Sequence, residues 1–358
     1  MRTQQHPQRN DPTQGFTVAA VCRLLARAAV AAVHAPSVLN TQPWRWRIEH
    51  DTALLFADRD RGLSTIDPDG RLLTLSCGTA LHHACVTLAA EGADFTVESL
   101  PSNHDPDLMA VVHYDGPAPP SPAAVPLADA IMKRHSDRRS FAARPVPDEA
   151  LDPLRGAAER CGAHLQVTWS RDLADIAAAA ALAADAEFTD PAYRAELAAW
   201  IRRPGEARDG VPTDTLSDAG PRKIPLRDFR AIGYPSGLHS DTDVEDQYAR
   251  YGIVVTDGDG PGDWLTGGVA LSAVLLTATV EHLATSTMSD LVEHETARQA
   301  VRRTLGGVGY PAIGVRIGIP ADGAAPARAP RRLAREVVEV LADPLWDEPA
   351  LTPPPAVR

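Results

Sequence analysis

At 358 residues the chain has the length of about two domains, and with 44% hydrophobic and 23% charged residues it is composed like an ordinary globular protein. A chain this long buries roughly three quarters of its unfolded surface without staples, which excludes disulfide scaffolds, collagen, coiled coils and wholly disordered chains. Its 35 basic against 47 acidic residues leave a net charge of −12, opposed to a nucleic-acid backbone or an anionic membrane surface as partner.

Residues 1–15 are polar and expected to be disordered. Over 18–33, Val18, Val21, Cys22, Leu25, Ala29 and Ala32 recur at helical spacing, while Arg23 and Arg27 interrupt the apolar run. That pattern predicts an amphipathic helix rather than a signal peptide or a membrane span. A loop at 34–41, strands at 44–48 and 53–57, a turn at 65–70, a long apolar helix at 72–91 and strands at 95–100 and 109–113 follow. Proline-rich 115–126 reads as a semi-rigid spacer, so the first unit spans 16–120. The second unit, 121–345, predicts helices at 127–134 and 149–161, a strand at 164–169, and alanine-rich helices at 172–184 and 192–201. A strand at 252–256, helices at 264–283 and 289–305, a strand at 312–319 and an amphipathic segment at 332–341 complete it. Residues 202–246 have no sustained periodicity and many Pro, Gly and Asp; a stretch that long reads as a lid, an arm or disorder. Residues 346–358 read as a tail.

An internal repeat links the two units. Set over 265–281 (LTGGVALSAVLLTATVE), residues 75–91 (LSCGTALHHACVTLAAE) align at a constant offset of 190. Leu75/Leu265, Gly78/Gly268, Ala80/Ala270, Leu81/Leu271, Thr87/Thr277 and Glu91/Glu281 coincide. Two alanine-rich helices share letters by chance, but a helical glycine costs roughly 1 kcal/mol relative to alanine. That cost, repeated at one helical position, predicts close backbone approach between two central helices, one from each of two related halves.

Several chemistries drop out early. Lys133 and Lys223 are the only lysines, and neither stands in Gly-Lys-Ser/Thr, so there is no Walker A site and any phosphate must be held by arginine or backbone amides. Cys22, Cys77, Cys85 and Cys161 form no C-x-x-C pair, which argues against zinc and fits a reducing, cytoplasmic setting. His294-Glu295 lacks the second histidine of a zinc motif, since Arg298 stands in its place. Asp257 to Gly260 lacks the later EF-hand ligands. Gly307 to Ala312 mimics a dinucleotide fingerprint but precedes a strand and contains Pro311. His82 and His83, on the central helix, read as interface or core polar residues.

The most informative stretch is 35–46, APSVLNTQPWRW. By composition it is a helix stop, with Pro36 ending the helix and Asn40 suited to a left-handed turn. As a pattern, P-S-x-x-N-x-Q-P-W resembles the signature of flavin-dependent nitroreductases, and the whole chain resembles their double-domain, Acg-type branch in actinobacteria. The resemblance implies an α+β fold in which two fused, related halves form a single-chain pseudo-dimer with central helices and mixed or antiparallel sheets. It also implies FMN held between a Pro-Ser-x-x-Asn loop of one half and an Arg-x-Ser-x-Arg element of the other. The latter is present as Arg134-His135-Ser136-Asp137-Arg138.

The residue chemistry suits such a site. Arg134 and Arg138 offer forked donors to a phosphate dianion, and Ser136 adds a hydroxyl. The amides of Asn40 and Gln42 suit the polar edge of a flavin ring, beside Pro36 and Ser37. The alternative for the arginines is a solvated patch at a helix C-terminus. Two further pieces come from the resemblance alone. A loop after the central helix, 284–288, would bring Thr285 or Thr287 to the ring, the alternative being an ordinary capping turn. Arg331 and Arg332 would reach the phosphate, the alternative being surface charge. The first half has no Arg-x-Ser-x-Arg and the second no Pro-Ser-x-x-Asn, so one flavin site per chain is expected. The resulting reading is an FMN-dependent oxidoreductase, a monomer using NAD(P)H and a nitroaromatic or quinone-like electron acceptor. Its rival is an FMN-sequestering or sensing protein whose 202–246 segment covers the ring.

Overall fold

The computed structural model describes residues 17–102, 104–168, 170–201, 203, 205–212, 224, 227, 246–323 and 326–341. The 1–15 segment, most of the expected lid at 202–246 and the 346–358 tail lie outside the described residues.

The chain builds the same supersecondary unit twice. The first copy runs helix α1 (Val18–Ala32), strands β1 (Trp44–Glu49) and β2 (Thr52–Ala57), central helix α2 (Arg71–Ala90), then β3 (Ala93–Ser99) and β4 (Leu108–Pro117). Helix α3 (Ala124–Ile131) leads into the second copy: α4 (Asp152–Arg160), β5 (His164–Val167), β6 (Arg250–Thr256), central helix α7 (Pro261–Val280), β7 (Ala284–Met288) and β8 (Tyr310–Gly318). The first sheet has the order β3-β4-β2-β1 and the second β7-β8-β6-β5, all antiparallel, with each strand in the position of its counterpart. A last strand, β9 (Val338–Val340), joins the first sheet parallel to β1, pairing Trp46 with Val338 and Ile48 with Val340. The 332–341 segment therefore ends as a strand of the other half's sheet. The two units share structure rather than standing apart.

The bounds of α2 and α7 differ by 190 residues at both ends, the offset of the sequence repeat. Asp67 begins α2, its carboxylate accepting the N–H groups of Leu72 and Leu73 at 3.1 and 2.8 Å; Pro261 and Asp263 open α7. The two helices pack against each other and back one sheet each. Both are long and apolar enough to cross a membrane by length and composition; here 83% and 67% of their most apolar windows are buried inside the protein. Their crossing is set by the matched glycines. A Cβ on Gly78 would collide with the Leu265 carbonyl oxygen, and one on Gly268 with the Leu75 carbonyl oxygen. One turn on, the equivalent positions His82 and Ser272 meet, with Nδ1 and Oγ 2.8 Å apart. His83 Nδ1 reaches the same hydroxyl at 2.9 Å. The two histidines are polar residues of the helix interface.

The halves differ in their loops. The turn joining β1 to β2 is short, whereas the equivalent connection, 168–249, carries α5 (Leu173–Thr189) and α6 (Pro191–Ile201). The single helix expected at 289–305 is two, α8 (Asp290–Glu293) and α9 (Glu295–Thr304), because His294 is extended and its ring caps the Thr296 N–H. The 284–288 stretch, expected as a loop, is β7, since its backbone pairs with β8 from Gly314 to Gly318.

Candidate functional site

Between α1 and β1 the chain coils through a left-handed loop. Leu39, Asn40 and Gln42 all have positive φ, near 50°, a region where residues with a Cβ are uncommon. The conformation is held from both sides. Within the loop, the Ser37 hydroxyl accepts the Gln42 N–H at 2.9 Å. From α2, Thr79 Oγ1 donates to the Pro36 carbonyl at 2.5 Å, and Ser76 Oγ accepts the Val38 N–H at 3.3 Å. Strain of this kind persists only where the surroundings over-determine it, and it concentrates at functional sites.

The second wall follows α3. Arg134 lies just beyond its C-terminus, and the chain then turns through His135, Ser136, Asp137 and Arg138. Asp137 fixes the turn. Its N–H donates to the Thr285 carbonyl at 2.8 Å, and its carboxylate accepts Arg139 at 2.8 and 2.9 Å. Arg316, fully buried on β8, completes the support: its guanidinium donates to the carbonyls of Asp137 and Arg139 at 2.6 and 3.0 Å and pairs with Asp246. Asp246 in turn accepts the Phe141 N–H at 2.7 Å, and the Phe141 ring lies 3.9 Å from the Arg316 guanidinium carbon.

Facing each other, the two walls line a cavity of about 100 Å³ that is open to solvent. Pro36, Ser37 and Asn40 line one side, Arg134, Ser136 and Arg138 another, Thr287 and Ser289 a third, with Arg328 and Arg331 arriving from the C-terminal segment. Four arginines line the cavity and no Asp or Glu does, among the described residues of a chain with a net charge of −12. Arg134 is 7% exposed, and its Nε has no hydrogen-bond partner among the described residues. Arg331 Nε is likewise buried and unpartnered, although the rest of its guanidinium binds Asn40 Oδ1 at 3.0 Å and the carbonyls of Ala329, Pro330 and His34. Burial, with arginine neighbours, pushes Arg134 down to about 10 and Arg331 down to about 9. Burial also lowers the Arg138 guanidinium, with Arg227 and Arg316 close by. Buried guanidiniums with idle donors and, among the described residues, no carboxylate lining the cavity have the chemistry that suits an anion.

Eight of the eleven residues singled out in the sequence line this cavity: Pro36, Ser37, Asn40, Arg134, Ser136, Arg138, Thr287 and Arg331. Gln42, Thr285 and Arg332 do not. Gln42 is fully buried, donating to the Arg208 carbonyl at 2.9 Å and accepting the Arg332 N–H at 2.8 Å. The Thr285 carbonyl is taken by Asp137. Arg332 turns to Asp58, at 3.4 Å, and to the Gln42 carbonyl, at 3.3 Å. The amides assigned to a ring edge thus have other work in this structure. Asn40 Nδ2 donates to the carbonyls of Gly210 and Pro330 at 3.0 and 3.1 Å, so Asn40 and Gln42 together stitch 208–210 and 330–332 to the loop.

Sequence reasoning missed Arg328, His34 and the Arg316–Asp246 support. Arg316 had a readable signal, a charge in the middle of the apolar strand 312–319. Asp246 had none, lying at the end of an aperiodic stretch.

No protein-family profile matches the chain. Among curated Mycobacterium tuberculosis proteins, "Putative NAD(P)H nitroreductase Rv3131" is 38% identical over 315 residues, 86% of this chain and 89% of the relative. "Putative NAD(P)H nitroreductase acg" is 33% identical over 324 residues, 89% and 96%. "Uncharacterized protein Rv3127" is 32% identical over 329 residues, 90% and 94%. Among solved structures, the FMN and NADPH-dependent nitroreductase NfnB of sphigopyxis sp. strain HMH is 20% identical, with 60% of this chain and 97% of that one covered at a TM-score of 0.38. That structural overlap is too loose to argue from. Relatives above 30% identity that align along nearly their whole length, with an α+β fold built twice over, make the chain a member of the double-domain, Acg-type nitroreductase family.

Proposed function

We propose that this chain is an FMN-dependent oxidoreductase that uses NAD(P)H to reduce nitroaromatic or quinone-like acceptors at a single flavin site. The observation that carries this reading is a cavity lined by no acid among the described residues, with buried, idle donors on Arg134 and Arg331. The FMN phosphate is the kind of anion such a site takes, and in a chain with two lysines arginine and backbone amides are left to hold it. The names of the relatives support the NAD(P)H and nitroreductase parts.

When bound, FMN supplies the hydride and electron chemistry. The chain's own residues bind and orient. Arg134, Arg328 and Arg331 would hold the FMN phosphate, and Ser136 would add a hydroxyl donor. The loop at 36–40, made rigid by Ser37, Ser76 and Thr79, forms one wall, and Thr287 with Ser289 forms another. No side chain is assigned as acid, base or nucleophile. Both walls come from one polypeptide, so the active form is a monomer.

A second reading, a flavin-sequestering protein with little turnover, is favoured by one observation. The 208–210 segment is already bonded to Asn40 and Gln42, which closes one approach to the loop. Adding NADPH or NADH without oxygen to the yellow protein separates the two. Prompt bleaching supports the reductase, and a flavin reduced only by dithionite supports sequestration. A colourless protein that takes up no FMN overturns both.

A further inference from the structure

We propose that His34 is a proton-accepting member of the anion site, so that binding of a phosphate monoester dianion draws one proton from solvent onto its ring. The inference rests on reading the cavity as the FMN site and concerns a residue that reading does not use.

His34 stands just beyond α1, at the entrance to the left-handed loop, and lines the same cavity as Arg134, Arg328 and Arg331. Its carbonyl accepts from Arg331 at 3.3 Å, which ties its backbone to the arginine cluster. Its ring makes no hydrogen bond to protein among the described residues. The charged groups facing it are Arg134 from the segment after α3, and Arg328 and Arg331 from the C-terminal segment. His83 on α2, itself neutral in its burial, faces it as well. Burial and these three guanidiniums hold the ring down to about 4, so it is neutral near pH 7 when no anion is bound.

A dianion among the arginines reverses the sign of the field at the ring. The repulsion of the guanidiniums is already contained in the value near 4, so the added attraction acts in full. Through an effective dielectric of about 20, a double negative charge in contact favours the imidazolium by more than about ten-thousandfold, enough to carry the ring above pH 7.5. The C-terminal end of α1 also favours a cation there. His34 then becomes a charge-assisted donor to a phosphate oxygen. A ligand without the phosphate produces no such change.

The test is calorimetry on the full chain freed of cofactor, at pH 7.5, where a phosphate monoester is already dianionic, in two buffers of different ionisation enthalpy. FMN, riboflavin and phenyl phosphate, a monoester like FMN, are titrated in turn. The expected result is uptake of at least about half a proton per FMN and per phenyl phosphate, and none with riboflavin. His34→Gln keeps a donor but cannot hold the proton, and should abolish the uptake. Nitrogen-15 histidine spectra of the unaltered chain give an independent reading, with the His34 ring becoming doubly protonated on FMN addition. FMN binding without proton uptake, or uptake unchanged in His34→Gln, overturns the proposal while leaving the cofactor reading intact. Phenyl phosphate binding with uptake but no FMN binding supports the proposal and overturns the cofactor reading. Failure of both ligands to bind overturns both.

Discussion

Arg134 concentrates the electrostatic problem of this protein in one side chain. A guanidinium with its Nε sealed from water is expensive to keep, and among the described residues no carboxylate lines its cavity. The cost makes sense if a ligand provides the missing charge. Arg316 is the contrast. It is also fully buried, yet it has Asp246 and two carbonyls as partners and serves to hold the 134–139 turn in place. The two arginines therefore separate a binding role from a supporting one. Replacing Arg134 by alanine should weaken FMN retention at least about a hundredfold, the few kcal/mol of desolvated charge-assisted contacts. Thermal stability should stay level or rise, because a buried uncompensated charge is removed. Flavin fluorescence after ultrafiltration, read beside the melting temperature, checks both. Unchanged retention would return Arg134 to a structural role.

At the scale of elements, the α2–α7 crossing depends on two glycines and the α5–α8 contact on a cluster of acids. Alanine at a helical glycine normally stabilises by up to about 1 kcal/mol, but at Gly268 the new methyl meets backbone that cannot move aside. Overpacking of that kind typically costs about 1–3 kcal/mol, so the clash decides the sign. Gly268→Ala should lower the urea midpoint, whereas Gly262→Ala, with open space at its Cβ, should leave it level or raise it slightly. Equal effects of the two would remove the close approach as the reason for the repeated glycine. At the start of α8, burial pushes the Asp290 carboxyl up to about 7, with Glu187 and Glu293 adding to it and Arg227 opposing. A carboxyl raised in the folded state binds its proton more tightly there than in the unfolded chain. Its destabilising effect is therefore absent below about pH 4, grows between about 4 and 7, and is complete above 7. Asp290→Asn escapes that penalty, so its advantage over the unaltered chain in urea should be larger at pH 8 than at pH 5, by on the order of 2 kcal/mol. An advantage that is equal at the two values would show that Asp290 does not titrate as its burial implies.

Over the whole molecule, what was legible in the sequence was what is local or repeated. Periodicity located the central helices, and the 190-residue offset foretold their packing because a helix face and its glycine are encoded within one stretch. The Pro36–Gln42 and Arg134–Arg138 elements were legible as motifs. What could not be read depends on partners far along the chain. Asn40 spends its amide on Gly210 and Pro330, 170 and 290 residues away. β9 exists only because β1 offers it an edge, and His294 breaks a helical pattern through a cap that periodicity does not register. The same comparison of halves supports the proposed single site. With the same four-strand order in both sheets and central helices of equal length, symmetry alone would give two. The left-handed loop, however, needs the ten residues or so between α1 and β1, whereas α4 passes to β5 through Cys161, Gly162 and Ala163 alone. That connection is too short to hold a Ser-closed loop with a polar lining. The arginine turn in its turn follows α3, in the second half. One copy of each wall allows one complete cavity. Saturating the chain with FMN and measuring bound flavin against protein should give one per chain, in a particle whose sedimentation mass is that of one 38.2 kDa chain. Two flavins per chain would mean that the short α4–β5 connection serves after all. One flavin per two chains would mean that each cavity draws a wall from a second copy.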